Sequence, residues 1–240
     1  VPSEIFQRTP ARMRRKGDRI SERTVGKYMR QMGIRACYRK HITHTTKDPD
    51  FDSRLKNILE RNFQPDRPDA AWCTDITYIW TYEGFVYLAS IMDLYARKII
   101  SWTLGKTLEV KWVLETVEKA KEQRCVTKPL IIHSDRGIQY TCKGYEEATR
   151  GISRSYSAKA CPWDNACIES FHALIKREWL SRFRIKDYSH AGRLVFKYIE
   201  AFYNTVRLHS HCGYRSPAEY EEQYPERMEA KVKSEEIERR

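Results

Sequence analysis

None of the chain's seven cysteines stands in a Cys-x-x-Cys pair, which removes the commonest structural-zinc and thiol-redox frameworks. An odd, scattered set also argues against a disulfide scaffold and suits reduced thiols. Two groupings have metal-like composition: Cys161 with Cys167 and His172, and His209 with His211 and Cys212. Neither matches a finger or knuckle spacing, so zinc is not expected. Long apolar runs are missing too. The longest, Phe85 to Met92, falls far short of the roughly 20 residues that cross a bilayer. No leader pattern opens the chain, and the expectation is a cytoplasmic protein with no membrane partner. Negative charge is in deficit: 44 Lys and Arg face 32 Asp and Glu, a net +12 over 240 residues. A composition of 41% hydrophobic and 12% aromatic residues is too rich in core-forming side chains for a disordered basic tail. The charge points to a polyanionic partner, and nucleic acid fits better than a lipid surface because no segment resembles an amphipathic anchor.

The excess charge is concentrated at the start. Residues 1–47 hold 13 basic and 3 acidic side chains and read as two short helices. Thr9-Pro10 is expected to open the first and Gly17 to end it. Ser21 caps the second, from Glu22 to about Met32, which closes at Gly33. In that helix Val25, Tyr28, Met29 and Met32 share one face, while Arg23, Lys27 and Arg30 share another. A small apolar face backed by a basic one, after a tight turn, suits a helix-turn-helix that contacts DNA. The alternative is a solvated basic helix packed on a larger domain. Residues 48–70 read as a linker with a helical piece over 51–62, kept extended near Pro65 and Pro68.

From 71 onward the pattern changes. Trp72–Trp80, Phe85–Asp93 and Lys98–Leu104 are rich in β-branched and aromatic residues and read as a three-strand meander. A helix follows from Leu108 to about Arg124, then Pro129–His133 as a short buried strand of parallel type. A polar helix near 143–149, a strand near 152–157 and a long helix from about Pro162 to Leu180 complete residues 71–182. This order describes an α/β, ribonuclease-H-like fold: a mixed five-stranded sheet flanked by helices. Residues 183–224 form a helical extension, with a capping box at Ser216–Glu219. Residues 225–240 are a charged tail.

Three acids sit where a carboxylate is costly or odd. Asp75 interrupts a β-rich run, Asp135 ends the buried strand, and Glu169 lies on the polar face of the long helix. A lone Asp in a strand is usually structural and a lone Glu on a helix is usually solvated. It is the order and placement of all three that point to chemistry. Carboxylates gathered at one point repel each other and persist mainly where cations neutralise them. A pair of Mg²⁺ ions, about 3.5–4 Å apart, serves phosphodiester cleavage and joining. Asp75, being central, is expected to bridge both ions, with Asp135 and Glu169 each holding one; Mn²⁺ is expected to substitute. Asn165, Glu169, His172 and Lys176 recur at one helical face, opposite Ile168, Phe171, Ile175 and Trp179. Lys176 and Asn165 are therefore expected to contact DNA phosphates beside the metals. His133, Gln139, Tyr140 and His172 flank the acids and are readable either as site-lining or as hydrogen-bonded scaffold.

At these residues the chain resembles the DDE transposases of the bacterial insertion sequence 3 family, as the catalytic product of the second reading frame with an integrase-type core. The segment Arg23-Thr-Val-Gly-Lys-Tyr-Met-Arg-Gln-Met-Gly resembles the family's helix-turn-helix. Asp75-Ile-Thr-Tyr, His133-Ser-Asp-Arg-Gly-Ile-Gln-Tyr and Trp163-Asp-Asn-Ala-x-x-Glu-Ser-Phe resemble its catalytic blocks. Tyr203-Asn-x-x-Arg-Leu-His-Ser and Gly213-Tyr-x-Ser-Pro-Ala-Glu resemble its C-terminal signature. The resemblance implies Mg²⁺-dependent cleavage at the 3′ ends of an insertion element and strand transfer through a circular intermediate. It also implies a homo-oligomer working on terminal inverted repeats and target DNA, nucleoid-associated when bound, with Lys176 placed for DNA-end binding. Thirty-three residues separate Asp135 from Glu169, two fewer than is usual in that family, and the shortening is expected near 143–152. The chain opens at Val1-Pro-Ser with little of the expected upstream helix. Two alternatives are a truncated DNA-binding regulator without catalysis and a structure-selective nuclease on the same fold.

Overall fold

Ser21 starts the better-defined of two N-terminal helices. Its side-chain oxygen accepts from Thr24 N at 3.1 Å, a cap that contributes about 1 kcal/mol. In the computed structural model, which describes residues 4–17, 20–34, 55–159 and 161–225, helix α1 spans Glu4–Arg15 and α2 spans Glu22–Gln31. The first helix therefore does not open at Thr9-Pro10. It is already formed at Glu4, with Pro10 in its interior, a residue with no N–H to give one backbone hydrogen bond. In α2, Val25 and Met29 are buried while Tyr28 and Met32 are exposed. The expected apolar face is thus only half covered. Residues 35–47 of the expected N-terminal segment, 51–54 of the expected helical piece and 226–240 of the tail lie outside the described residues.

Residues 55–62 are not helical. Ile58 N and Leu59 N both donate to Ser155 Oγ at 2.9 Å, and Tyr156 N donates to Lys56 O at 3.0 Å. Glu60 and Arg61 then turn with positive φ, 47° and 60°. The helical expectation fails because Leu59 is wanted in the core, where it is buried, and the backbone gains more by pairing with the sheet edge than by coiling.

The sheet forms as expected, with strands β1 Ala71–Thr81, β2 Gly84–Asp93, β3 Lys98–Gly105, β4 Ile131–Ser134 and β5 Ser153–Tyr156. Their order is β3-β2-β1-β4-β5. The first three pair antiparallel, and β4 and β5 join parallel to β1. Helix α3 (Val110–Gln123) crosses between β3 and β4, and α4 (Ile138–Thr141) and α5 (Lys143–Ala148) lie between β4 and β5. Helix α4 was not foreseen. A 3₁₀ turn, Pro162–Asn165, leads into α6 (Ala166–Glu178), and α7 (Tyr188–Tyr198) runs into a π-turn, Ile199–Tyr203, before α8 (Pro217–Glu222).

Side-chain alternation along β1 divides the core into two layers. Ala71, Cys73 and Ile79 face a cluster with Ile168, Phe171 and Ile175 of α6 and Leu194, Val195 and Tyr198 of α7. Trp72 faces the other cluster, with Val113, Val117 and Ala120 of α3, Tyr140 of α4 and Tyr145 of α5. Full burial of one such side chain contributes roughly 1.5–3 kcal/mol, so each helix is held to the sheet by several.

The C-terminal signature read in the sequence is a clamp. Asn204 donates to Ile99 O at 2.9 Å and accepts from Ile99 N at 3.0 Å, closing the edge of β3. Arg207 is buried against Glu178 at the end of α6, with Nε–Oε2 at 2.9 Å and Nη2–Oε1 at 3.0 Å. Ser216 and Glu219 form the expected capping box. Arg15 of α1 pairs with the same Glu219 at 2.7 and 3.1 Å, tying α1 to α8.

Candidate active site

Strand β4 is shorter than β1, and this shapes the site. Its register with β1 covers Ala71↔Ile131 to Cys73↔His133 and no farther. The chain leaves β4 at Asp135, two residues past the last β4 residue paired with β1, as Asp75 stands two residues past its own end of that pairing. Beyond Cys73 the edge of β1 has no β4 neighbour, so Asp75 stands at an open edge with Ser90 of β2 on its other side. At Gly137 the chain veers off. A Cβ there would lie 3.0 Å from Asp135 Oδ1 and 3.1 Å from Gln139 Oε1. The missing side chain thus lets Gly137 N donate to Asp135 Oδ1 at 2.9 Å.

Glu169 reaches the same place from the first turn of α6, whose apolar face is pinned by Ile168, Phe171 and Ile175. The Asp75 charge acts on both of the other carboxylates. Asp135 is pushed up to about 6 by desolvation first and by the Asp75 charge second, against the Gly137 N–H. Asp135 keeps a solvent-facing side, so the neighbouring charge, and not burial alone, is what the geometry requires. Glu169 is raised by desolvation and then by Asp75 and Asp135. Among the described residues no three His, Cys, Asp or Glu side chains form a ready-made ligand set. The donors are nonetheless all carboxylate oxygens, the chemistry a hard divalent cation selects.

Asp75 is also held from behind. His172, buried on α6, places Nδ1 at 3.3 Å from Asp75 Oδ2 and Nε2 at 2.8 Å from Ser90 Oγ. Of the two neutral tautomers, only the one protonated at Nδ1 turns an N–H, not a lone pair, toward the carboxylate. Ser90 then donates to Nε2.

Comparison with known proteins agrees with this architecture. The integrase core domain family matches residues 65–162, and a second integrase core domain family matches 150–217. The chain is 35% identical over 208 residues to the transposase for insertion sequence element IS904 of Lactococcus lactis subsp. lactis, covering 85% of this chain and 82% of that protein. It is 32% identical over 211 residues to transposase InsF for insertion sequence IS3A of Escherichia coli, covering 87% and 73%. The chain belongs to the insertion sequence 3 family of transposases. It is accordingly a DDE polynucleotidyl transferase acting on DNA. Two solved structures share the fold at 14% identity. One is a simian T-cell lymphotropic virus intasome in complex with PP2A regulatory subunit B56 gamma, with a TM-score of 0.55 over 79% of this chain and 62% of that one. The other is the catalytic domain of Mos1 mariner transposase, with a TM-score of 0.50 over 69% and 82%. No helix among the described residues of this transposase is long and apolar enough to cross a membrane.

The remaining residues singled out in the sequence divide sharply. Lys176 is half-buried near the acids; desolvation lowers its pKa and the Asp75 charge opposes that, and its Nζ sits 4.2 Å from the Tyr78 ring centroid. Gln139 lines the turn beside Asp135. Asn165 is not a surface contact. It is buried, its Nδ2 donates to Thr74 O at 3.3 Å, and its Oδ1 has no partner. The reason is local: Asn165 ends the 3₁₀ turn, so the α-helical spacing that grouped it with Glu169 does not apply. His133 is engaged with β5 and not with the acids. Fully buried, it meets Ser155 Oγ at 2.8 Å and Ser157 Oγ at 3.1 Å, and burial pushes it down to about 4, so it stays neutral scaffold. Tyr140 is buried beneath the site with its hydroxyl 3.5 Å from Thr74 Oγ1. Arg23, Lys27 and Arg30 of α2 are all exposed.

Sequence reasoning missed Asp164. It is buried, accepts from Ala158 N at 2.8 Å and Asn57 Nδ2 at 3.0 Å, and pairs with Arg61 Nε at 2.6 Å. Burial alone would raise its carboxyl, but these donors hold it low. It fastens the turn that aims α6, a role with no signal in spacing alone.

Proposed function

We propose that Asp75, Asp135 and Glu169 hold two Mg²⁺ ions, with Mn²⁺ able to substitute, and that the transposase uses them to cut DNA at the 3′ ends of an insertion element and transfer the freed strand. What supports this reading is the parallel pairing of β4 beside β1, which carries the chain toward Asp75 as it leaves β4 at Asp135, together with the Asp75 charge that raises Asp135 and the Asp75 and Asp135 charges that raise Glu169. Bound there, the ions would activate the attacking oxygen and stabilise the leaving one. Asp75, central in the group, would serve both ions, and Asp135 and Glu169 would each help hold one. Lys176 contacts the DNA backbone beside them, and Gln139 lines the approach.

Around this core, α1 and α2 act as a helix-turn-helix whose exposed Arg23, Lys27 and Arg30 meet terminal inverted repeats. The working form is a homo-oligomer on paired ends and target DNA, in the cytoplasm and on the nucleoid when bound. The boundaries 1–47, 48–70, 71–182, 183–224 and 225–240 divide these roles. The test is direct. Purified protein with a supercoiled plasmid bearing the element's ends and Mg²⁺ should give nicks at the 3′ ends, abolished by EDTA and restored by Mn²⁺. End binding without any metal-dependent product would instead make the chain a regulator.

His172 acts as a positioning residue for Asp75. Asn at 172 can present an N–H near the Nδ1 position, whereas Gln reaches toward Ser90. His172→Asn should therefore stay within about fivefold of wild type, while His172→Gln should need roughly 10–100 times more Mg²⁺ for half-maximal nicking. Titrating nicking rate against Mg²⁺ separates this from a folding defect, which would lower the plateau and leave the midpoint in place.

A further inference from the structure

Beyond the acids, β1 continues into a face that no part of the described chain covers. Tyr78, Trp80 and Phe85 are 59%, 60% and 47% exposed. The register pairs Trp80 with Phe85 and Tyr78 with Tyr87, so their side chains share one side of the sheet. The rings are already in contact, with Trp80–Phe85 centroids at 5.0 Å and Tyr78–Phe85 at 5.3 Å, both edge-to-face. At the far end of the row Tyr87 pairs with Gly105 of β3. A Cβ on Gly105 would come within 2.4 Å of the Trp112 ring, so Trp112 lies flat over it, and Lys111 Nζ sits 4.5 Å from that ring. At the near end Lys176, from α6 on the opposite face, reaches round the bare edge of β1 to Tyr78.

Large exposed aromatics on one strand face are costly to leave in water and mark a contact surface. Its position names the partner. Tyr78 and Trp80 lie three and five residues past Asp75, about 10 and 17 Å along the strand. A nucleic-acid strand advances about 3.4 Å per nucleotide, so a strand that rounds the bare edge of β1, as Lys176 does, would meet these rings a few nucleotides from the reacting phosphate. The cation on Tyr78 is the one whose charge couples to Asp75, which makes the patch continuous with the site. Aromatic faces interleaved with Lys suit stacked bases beside a phosphate chain.

We infer that Tyr78, Trp80 and Phe85 form a stacking platform for unpaired bases of the DNA strand that leads away from the reacting phosphate. The inference rests on Asp75 marking that phosphate, but its test does not require catalysis. With EDTA present, the full chain is titrated by fluorescence anisotropy against a labelled twenty-nucleotide oligo(dT) and a duplex of equal length. Trp80→Ala combined with Phe85→Ala should weaken oligo(dT) binding at least fivefold, with duplex affinity changed less than twofold. Trp80→Phe should restore most of the loss, which a misfolded protein could not do. A parallel loss on both DNAs, or no loss on oligo(dT), would overturn the platform. So would sedimentation data in which the alanine variant splits a wild-type dimer while oligo(dT) affinity is unchanged, because the face would then belong to a second copy. Retained discrimination in a protein that never nicks would support the platform and remove only the catalytic reading.

Discussion

Asp75→Asn, Asp135→Asn and Glu169→Gln should each lower Mg²⁺-dependent nicking by about 10³-fold or more while leaving end binding in EDTA within twofold. Each change removes one anionic oxygen ligand and keeps the shape of the side chain. A metal's charge stabilisation of a phosphoryl transition state contributes several kcal/mol, and every 1.36 kcal/mol lost is tenfold in rate. Asp75 should be the most severe, because its neighbours on both sides depend on it. It raises Asp135 and Glu169 and opposes the lowering of Lys176. The same substitutions carry an opposite expectation for stability. In EDTA each removes one of three mutually repelling charges, so urea midpoints should hold or rise. A protein that lost nicking and stability together would instead have lost its fold. Variants that nicked as well as wild type would remove the three acids from the chemistry.

The contrast between what was legible in the sequence and what was not follows from the kind of interaction involved. The sheet was legible because its signal is local: β-branched and aromatic residues in β1 to β3, and the wholly apolar run before His133, specify strands by their own periodicity. Placing Asp135 beside Asp75 needed only the rule that a buried apolar strand pairs in parallel next to the first. The misreadings have other causes. Asn165 was assigned to the surface because α-helical spacing was extended one turn too far, into residues that form a 3₁₀ turn. The helical reading of 51–62 failed where Leu59 entered the core and Ser155 took two backbone N–H groups. His133 had two readings until Ser155 and Ser157 were seen to occupy both ring nitrogens. For the last two the decisive partner lies far away in sequence, from about 20 to 100 positions, where periodicity carries no information; for Asn165 the cause is the local change of helix type.

Arg207 is the most demanding instance, and its replacement should have the largest effect on stability. The side chain is 2% exposed and grips Glu178 through two parallel bonds, while Tyr198 donates to Glu178 Oε2 at 2.9 Å. Glu178 is the last residue of α6, where the helix dipole disfavours a carboxylate, so that end needs a cation against it. Arg207→Met leaves a mostly shielded acid underpaired, which should cost about 3 kcal/mol or more in urea unfolding, roughly two decades in the folding equilibrium. Glu178→Leu added to it should recover a large part of that loss, because an apolar pair restores packing without a stranded charge. Because α6 also presents Glu169, the single variant should lose nicking as temperature rises, well before wild type does, and regain it on cooling. If Arg207→Met unfolded at the wild-type urea midpoint, the clamp would contribute nothing to holding α6. The C-terminal signature would then need an explanation outside the fold.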